Sequence, residues 1–261
     1  MRNNAGYRVT EDLNSPEVRQ TLIEDRAVGG AHLNLASLVT EFGVSADTIR
    51  RDLLALEARG IVRRVRGGAL PVRRPAIPMA RRMEADPADV SAVVSASLPL
   101  IEDGMVLMLD GGTTILQLAR AMPTLPRGLV VTPSPAVAMV TLASGTPTHL
   151  VGGRLSPFGG VAVGRAAERA VTEVAADLAL IGACGIDAAF GLSADDPDEA
   201  ALKTAMIETS ARAAVLTGAA KIGRRARHRV VECNALHLLV TDATVEQTAD
   251  LEDTGLEVRH A

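Results

Sequence analysis

Short apolar runs alternate with helical patterns over the second part of the chain, and this order leaves few folds open. The apolar runs, which we predict to be strands, lie at 106–109, 129–132, 148–151, 178–183, 213–217 and 237–241. Helical patterns precede or separate them at 91–101, 114–122, 134–143, 164–176 and 198–211. Strands that are apolar on both faces and alternate with helices form mostly parallel sheets with helices on both sides. The sequence therefore predicts an α/β domain.

Composition divides the chain into four segments. Residues 1–14 are polar and aperiodic, which predicts a flexible tail. Helical spacing followed by a hairpin pattern predicts a small domain over 15–71, and the proline-rich segment 72–89 predicts a linker. The α/β domain then occupies 90–261.

The segment from Leu33 to Asp52 has the pattern of a helix-turn-helix. Two short helices meet at a turn around Gly43, and Ser45 is the predicted N-cap of the second helix. In such a motif the N-terminal end of the second helix enters the major groove of DNA. We predict that Ile49, Leu53 and Leu56 point inward and that the outward or flanking residues are Thr48, Arg50, Arg51 and Asp52.

Arginine is concentrated around this motif, although the whole chain has a net charge of −4. Residues 1–74 contain 12 Arg and no Lys against 9 acidic residues, and eight of those arginines fall within 50–74. A basic patch on an otherwise acidic protein is typical of binding to the phosphate backbone of nucleic acid. A solvated arginine-rich helix end, or a three-helix unit that joins proteins together, is the alternative.

A hairpin pattern follows the second helix of the motif. The short run 61–65 is β-like, and Gly67-Gly68 suits the turn after it. Arg63, Arg64 and Arg66 lie on this predicted wing. There we expect them to contact the DNA backbone or the minor groove and to position the protein.

Together these features resemble the DeoR-type winged helix-turn-helix. The matching stretch reads FGVSADTIRRDLLALEARGIVRRVRGGAL and joins helix, turn and wing at the family's spacing. The resemblance implies binding to double-stranded operator DNA, with the helix contributing Ser45, Thr48, Arg50 and Arg51. Arg66 stands where the family usually has His, and an arginine there keeps the phosphate contact.

Near the start of the α/β domain, a strand, a glycine turn and a helix start follow one another. After Asp110, the glycines Gly111 and Gly112 let the backbone approach a ligand, and Thr113 and Thr114 add hydroxyl donors. Free backbone N–H groups and the positive end of a helix dipole favour an anion at such a turn. A simple tight turn between strand and helix is the alternative.

Other polar residues follow the ends of further predicted strands: Gly153 with Arg154, Asp187, and Lys221. In an open α/β sheet those ends converge on one crevice. Lys203 and Lys221 are the only lysines of the chain, against 25 Arg. Such groups suit a phosphorylated, hydroxyl-bearing ligand. On its own, Lys203 also fits a solvated helix residue.

The segments LDGGTT, VGGRL, EAALKTAMI and AAKIGRRA, in this order, resemble the DeoR-family sensor domain. The resemblance implies a fold related to ribose-5-phosphate isomerase and the CoA transferases. It also implies a sugar phosphate held at the LDGGTT loop, with Asp187, Glu199, Lys203 and Lys221 completing the pocket.

Four residues depart from the sensor-domain pattern. Pro133 replaces a common Asn, Cys184 and Gly218 each replace a common Asp, and Val90 stands where the family often has Lys. Each change removes a polar group near the expected pocket. We therefore expect an unusual effector, or weaker binding of the usual kind.

The resemblance implies a DNA-binding transcriptional regulator with no catalytic residue, metal or cofactor. We expect it to repress carbohydrate metabolism genes as a homodimer or homotetramer, and to leave the operator when a phosphorylated sugar binds domain 90–261. The alternative is a sugar-phosphate isomerase or a CoA-transferase-like enzyme on the same fold, with Asp187, Glu199 and Lys203 as acid–base groups. The attached winged helix argues against an enzyme.

Cysteine usage and hydropathy bear on the compartment. Cys184 and Cys233 are the only two cysteines, which predicts neither a disulfide framework nor a cysteine zinc site. The longest apolar runs are far shorter than the roughly 20 residues needed to cross a bilayer. The sequence therefore predicts a cytoplasmic protein that does not bind membranes.

Overall fold

The computed structural model describes residues 15–28, 33–71, 78–84 and 90–261. The chain divides into two compact units, one ending at Pro75 and the other beginning at Ala76. The predicted tail, 1–14, and most of the predicted linker, 72–89, lie outside the described residues.

The described part of the first unit is a winged helix. Its elements are α1 (Pro16–Val28), β1 (Leu33–Asn34), α2 (Leu35–Phe42), α3 (Ala46–Ala58), β2 (Val62–Val65) and β3 (Gly68–Pro71). The strands form an antiparallel sheet in the order β1-β3-β2. The predicted helix-turn-helix and hairpin are both present, which agrees with the expected fold.

Local backbone chemistry sets the turn between α2 and α3. Gly43 ends α2 with φ 63°, a left-handed conformation that favours glycine. The Ser45 hydroxyl accepts a hydrogen bond from Thr48 N at 3.2 Å, as expected of the N-cap of α3. The Asn34 side chain caps α2 in the same way. These caps fix where each helix starts.

The core of the first unit follows the predicted helical spacing. Ile49, Leu53 and Leu56 of α3 are all buried, and they pack in one cluster with Ile23 of α1 and Leu38 of α2. Burial of such side chains contributes about 1.5–3 kcal/mol each. The cluster holds α3 by its inward face, and the opposite face of the helix lies outside this core.

Asp52 was predicted to point outward, and this prediction is wrong. It is only 2% exposed and accepts a hydrogen bond from Arg19 Nε at 2.6 Å. Asp52 lies three residues after Ile49 and four before Leu56, so helical geometry places it on the inward stripe. The charge is tolerated because Arg19, which is also buried, pairs with it across from α1.

The wing depends on two glycines that do different things. Gly67 has φ 87°, which a tight turn between β2 and β3 requires. Gly68 packs so close to β1 that a Cβ atom would lie 1.9 Å from Leu33 O. The Gly67 carbonyl also accepts from Leu35 N at 2.8 Å, so the wing is tied to α2.

The second unit contains a long series of alternating elements. Its first half consists of α4 (Met79–Glu84), α5 (Ser91–Ser97), β4 (Val106–Leu109), α6 (Gly112–Ala121), β5 (Leu129–Thr132), α7 (Pro135–Ala143), β6 (Thr148–Leu150), β7 (Arg154–Ser156), β8 (Val161–Val163) and α8 (Arg165–Thr172). Its second half consists of β9 (Ala176–Gly182), β10 (Gly185–Asp187), β11 (Gly191–Ala194), α9 (Pro197–Glu208), β12 (Ser210–Leu216), β13 (His228–Val231), β14 (Leu238–Thr241), α10 (Val245–Glu252) and β15 (Glu257–His260).

A seven-stranded sheet with the order β15-β14-β12-β9-β4-β5-β6 forms its centre. All of its strand pairs are parallel. A separate apolar cluster covers each face, one around Ile181 and Met206 and the other around Leu109 and Leu118. The predicted α/β fold class is thus confirmed.

The six predicted strands all belong to this sheet, within a few residues of the expected bounds. The sequence did not indicate the seventh strand, β15, because Glu257–His260 carries charges in place of an apolar run. Two small antiparallel sheets, β7-β8 and β10-β11-β13, were also missed. Their strands of three or four residues are too short to show a period of two.

Part of the predicted linker forms the helix α4. Met79 is buried, and its N–H donates to Pro157 O at 2.8 Å. Its sulfur sits so close to Gly160 that a Cβ atom there would lie 2.2 Å from it. The described portion of 72–89 is therefore packed onto the α/β unit at the loop between β7 and β8.

Candidate functional site

The N-terminal end of α3 is an exposed polar surface. Ser45 is exposed, and its hydroxyl lies 2.9 Å from the Thr48 hydroxyl. The free N–H groups of the first helical turn and the positive end of the helix dipole lie at the same place. A phosphate or a base edge is a suitable partner for such a surface.

The structure separates the predicted DNA-binding arginines into two groups. Arg51, Arg63 and Arg66 are exposed and have no salt bridge within the part of the chain that is described. Arg50 pairs with Asp47 one turn away, at 2.5 Å. The first three guanidinium groups are thus free for an external anion, whereas Arg50 must exchange a partner.

Arg64 has a structural role in the wing. Its Nε lies 2.6 Å from Glu57 Oε2, and its backbone N–H donates to Glu57 Oε1 at 2.8 Å. These contacts lower the pKa of Glu57, the backbone hydrogen bond contributing most and the side-chain bond next. The pair ties the wing to α3, and it fixes the position of neighbouring Arg63.

In the second unit, Asp110 and Lys203 form a buried ion pair at the carboxyl end of β4. Asp110 is 1% exposed and Lys203 6%. Gly182, at the end of β9, completes the group, because its N–H donates to Asp110 and its carbonyl accepts from Lys203, each at 3.0 Å. The predicted alternative of a solvated Lys203 is excluded by this burial.

The charge of Lys203 is retained in spite of its burial. Burial is the largest single effect and opposes the charged form, but the charge and hydrogen bond of Asp110, together with the charges of Cys184 and Glu199, outweigh it, and the pKa of Lys203 is raised. Lys203 is therefore a fixed cation at the ends of β4 and β9.

The glycine turn after Asp110 is packed against the loop between β7 and β8. A Cβ atom at Gly111 would lie 2.3 Å from a Val161 methyl group, so only glycine fits there. Gly112 has φ 88°, and its N–H donates to Gly159 O at 3.1 Å. One amide of the predicted anion-binding turn is thus already used by this neighbouring loop.

Glu199 holds that loop from the other side. It is 3% exposed and accepts hydrogen bonds from the Ser156 hydroxyl and from Gly159 N, the latter at 2.6 Å. Asp196 caps the helix α9 that carries both Glu199 and Lys203. The structure thereby brings Glu199 next to the glycine turn.

A second group of cations lies around Lys221, which is half-buried. Its pKa is lowered, first by burial and then by the positive charges of Arg224 and Arg82. Cys184 lies close enough to influence both Lys203 and Lys221 electrostatically. Asp195, whose carboxylate lies 3.6 Å from Arg224 Nη2, offsets part of this positive charge.

Arg82 of α4 was not among the predicted site residues. Its Nη2 donates to Phe158 O at 2.5 Å, and its Nε is the one buried side-chain N or O atom without a hydrogen-bond partner among the described residues. The sequence signal was a pair of arginines inside a proline-rich segment, which the linker interpretation concealed.

Three predicted residues have local partners instead. Arg154 is exposed and pairs with Asp198 at 2.5 Å. The Asp187 carboxylate accepts from the N–H groups of Ala189 and Phe190 and lies 2.9 Å from Arg225 Nε. At Gly153 a Cβ atom would meet Val163 O at 2.8 Å. These contacts shape the strand ends around the pocket.

Thr113 lines a groove on the outer side of α6. Thr113 and Thr114 are both half-buried. The groove has a volume of about 510 Å³ and is lined mainly by apolar atoms, with Arg120 and Gln117 among its polar residues. It belongs to the space between α4, α5 and α6 and is distinct from the Asp110–Lys203 group.

Three of the four departures from the family pattern, at Pro133, Val90 and Gly218, are accommodated locally. The Pro133 carbonyl accepts from Ala162 N at 2.7 Å, and Val90 is buried in the apolar cluster under α5. Next to Gly218, the Asp242 carboxylate accepts from the following N–H, at Ala219. A carboxylate thus reaches this turn from another strand.

Among the described residues, no group of three or more His, Cys, Asp and Glu side chains is placed to hold a metal ion. None of the described helices is long and apolar enough to cross a membrane. Cys184 and Cys233 are both free thiols.

A winged helix with free arginines, joined in one chain to an α/β unit with buried charges at its strand ends, defines a DNA-binding regulator with a separate sensing domain. The family comparison agrees. Residues 19–74 match the DeoR-like helix-turn-helix domain, and residues 90–243 match the DeoR C terminal sensor domain. The chain belongs to the DeoR family of transcriptional regulators.

Relatives similar over most of their length carry regulator names. The HTH-type transcriptional regulator GlpR of Haloferax volcanii is 30% identical over 86% of this chain and 90% of its own. The putative aga operon transcriptional repressor of Escherichia coli O157:H7 is 30% identical over 93% and 92%. The glycerol-3-phosphate regulon repressor of Escherichia coli K12 is 28% identical over 81% and 85%.

Solved structures show only distant similarity. The full-length sorbitol operon regulator SorC from Klebsiella pneumoniae aligns with a TM-score of 0.37 at 12% identity, covering 92% of this chain and 99% of its own. Ribose 5-phosphate isomerase A from Methanocaldococcus jannaschii aligns with a TM-score of 0.35 at 16% identity, covering 48% and 50%. No functional conclusion follows from similarity at this level.

Proposed function

We propose that this regulator represses carbohydrate metabolism genes in the cytoplasm, as a homo-oligomer that binds double-stranded operator DNA and leaves it when a phosphorylated sugar binds the second unit. The observation that carries the proposal is the set of exposed, unpaired guanidinium groups at Arg51, Arg63 and Arg66, on α3 and the wing of a described winged helix. Arg51 is suited to a base edge in the major groove, and the wing pair to phosphates.

The alternative of an isomerase or CoA-transferase-like enzyme is disfavoured. The relatives similar over most of their length are named as regulators or repressors. In addition, Glu199 and Lys203 are engaged in buried contacts with a loop and with Asp110, which leaves little freedom for proton transfer.

An anionic effector suits the second unit because the positive charges around Lys221 are only partly offset by Asp195, whose carboxylate lies 3.6 Å from Arg224 Nη2. The pKa of Lys221 is lowered first by burial and then by the positive charges of Arg224 and Arg82, so charging all three side chains is unfavourable. A phosphate group there would form charge-assisted hydrogen bonds with them. Sugar hydroxyls would then face Asp110 and the glycine turn, in keeping with the family resemblance.

The contacts of α4 suggest how effector binding reaches the DNA-binding unit. Along the chain, α4 is the first described helix after the wing. Met79 and Arg82 bind the carbonyls of Pro157 and Phe158, and the same loop contacts Gly112 and Glu199 through Gly159. An effector that moves this loop would therefore move α4, which changes the preferred arrangement of the subunits by linkage.

The DNA part of the proposal is tested by gel shift against an operator selected from randomised duplexes. We expect the logarithm of affinity to fall linearly with the logarithm of salt concentration, with a slope of about −0.9 per neutralised phosphate. An operator affinity that does not change with salt concentration would contradict this proposal.

The effector part is tested by thermal shift against a panel of sugar phosphates, each beside its unphosphorylated sugar. A ligand that binds only the folded state raises the melting temperature, and the rise grows with the logarithm of ligand concentration above the dissociation constant. We expect a rise with at least one phosphorylated member and none with its parent sugar. A panel in which the unphosphorylated sugars act equally well would exclude the phosphate as the recognised group.

A further inference from the structure

A long stretch of the second unit carries no charge. Residues 128–153 contain no Asp, Glu, Lys or Arg in a chain whose charged fraction is 22%. This stretch includes α7 and β6, and both lie at the end of the central sheet. The exposed residues of a stretch of this length normally include charges of both signs. The stretch therefore differs from the rest of the surface.

Helix α7 is apolar on its outer face as well as its inner one. Val137, Ala138 and Thr141 are buried against the sheet. On the opposite side Met139 is 65% exposed and Leu142 61%. A helix that is apolar all round is usually buried all round. Its outer face thus lacks a cover among the described residues of the chain.

The edge strand β6 extends this apolar face. The Thr148 hydroxyl lies 2.9 Å from the Thr141 hydroxyl, so the side chain of Thr148 faces α7. Because side chains alternate along a strand, Leu150 lies on the same side of the sheet, and it is 48% exposed. Met139, Leu142 and Leu150 define what we call the α7–β6 face.

The two edge strands of the central sheet differ in charge. The other edge strand, β15, carries Glu257 and Arg259. Charges on an edge strand prevent pairing with other chains, and β6 lacks them. The β6 edge is therefore the one that is open to association.

We infer that the α7–β6 face is the surface through which two copies of this chain associate around a two-fold axis. A two-fold interface brings a patch against itself, so any charge in it would meet the same charge. A patch without charges avoids that repulsion, and depletion of charge is typical of the cores of homodimer interfaces. If the partner were a different protein with charges on its surface, this face would be expected to carry complementary charges.

A stable dimer interface buries about 800 Å² on each partner, so the residues around the three apolar side chains must take part in it. The three apolar side chains are flanked by Ala143, Gly145, Pro147 and His149. All four residues are exposed, and none of them is Asp, Glu, Lys or Arg. These small residues widen the face without obstructing close approach.

The inference rests on the proposed homo-oligomer and specifies its contact surface. Two half-sites of an operator require two winged helices, and one pair of copies supplies them. The test is sedimentation equilibrium of the full chain, wild type beside Leu142→Arg and Leu150→Arg. Val245→Glu is the matched control, because Val245 is a 62% exposed apolar residue on α10, outside the face.

We expect the wild type to be at least dimeric, with self-association weakened at least tenfold in both arginine variants and unchanged in Val245→Glu. Circular dichroism establishes whether each variant is folded. Because two positions are substituted separately, the interface can still be tested if one of the two variants does not fold. A monomeric wild type, or arginine variants that keep the wild-type mass, would overturn the interface. Salt-sensitive operator binding by a monomeric wild type would leave the DNA-binding part of the proposed function standing and remove the homo-oligomer, whereas an intact dimer without DNA affinity would remove the DNA-binding part and leave the interface.

Discussion

The ammonium group of Lys203 and the carboxylate of Asp110 form an ion pair in which both side chains are almost fully buried. They come from α9 and from the end of β4, which are 93 residues apart in the chain. The pair joins an outer helix to the central sheet next to the glycine turn. Its integrity therefore governs both stability and the shape of the proposed effector pocket.

Lys203→Met is expected to lower the free energy of unfolding by about 3–5 kcal/mol, because it leaves Asp110 as an unpaired buried charge. Urea denaturation measures the change. Arg169→Met is the control, since its pair with Glu173 is exposed and contributes little. Adding Asp110→Asn to Lys203→Met should restore much of the lost free energy of unfolding. A double variant as unstable as Lys203→Met alone would show that the unpaired charge of Asp110 does not cause the destabilisation.

Arg51→Ala is expected to cost about 1–3 kcal/mol of operator affinity if this arginine reads a base. The melting temperature should not change, because Arg51 is exposed and unpaired within the described residues. Arg63→Ala should instead weaken binding uniformly across sequences and reduce the salt slope by about 1. Gel shifts measure both, with Arg169→Ala as the control of equal charge. An unchanged midpoint for Arg51→Ala would remove it from the interface.

The two wing glycines should respond differently to substitution. Gly68→Ala forces a Cβ atom against Leu33 O and is expected to destabilise the first unit by about 1–3 kcal/mol. Gly67→Asn should have a small effect, because no atom lies within 4 Å of its Cβ position and asparagine tolerates a positive φ. Thermal unfolding and operator affinity are the measurements. Equal effects at the two positions would contradict the close approach of β1 and β3.

Most of the scaffold could be predicted because its signals are local. The six apolar runs are strands, and Ser45 caps α3 where the sequence placed a helix start. The burial of Ile49 and Leu56 follows from helical spacing alone. Local patterns of this kind need no knowledge of the partner segment.

The errors and omissions concern residues whose surroundings come from distant parts of the chain. Asp52 is buried because Arg19, 33 residues earlier, neutralises it. Arg82 belongs to the second unit because its partner, Phe158 O, is 76 residues away. Polar composition predicts exposure for both, and only the fold supplies the partner. The same reason separates Arg64, paired with Glu57, from the free arginines beside it.

The pH dependence of effector binding should report on Lys221. Its pKa is below the usual lysine value, first because of burial and then because of Arg224 and Arg82, and a bound phosphate would raise it. Effector binding should then take up a proton, so affinity should fall as the pH rises through the depressed pKa of the free protein. A phosphate monoester is already dianionic there, since its second pKa is about 6. Isothermal titration calorimetry between about pH 7.5 and 10 measures the affinity. Lys221→Arg keeps the positive charge without titrating in this range, so it should flatten the dependence of effector affinity on pH. If the wild-type affinity is as independent of pH as that of the variant, Lys221 is excluded from the phosphate site.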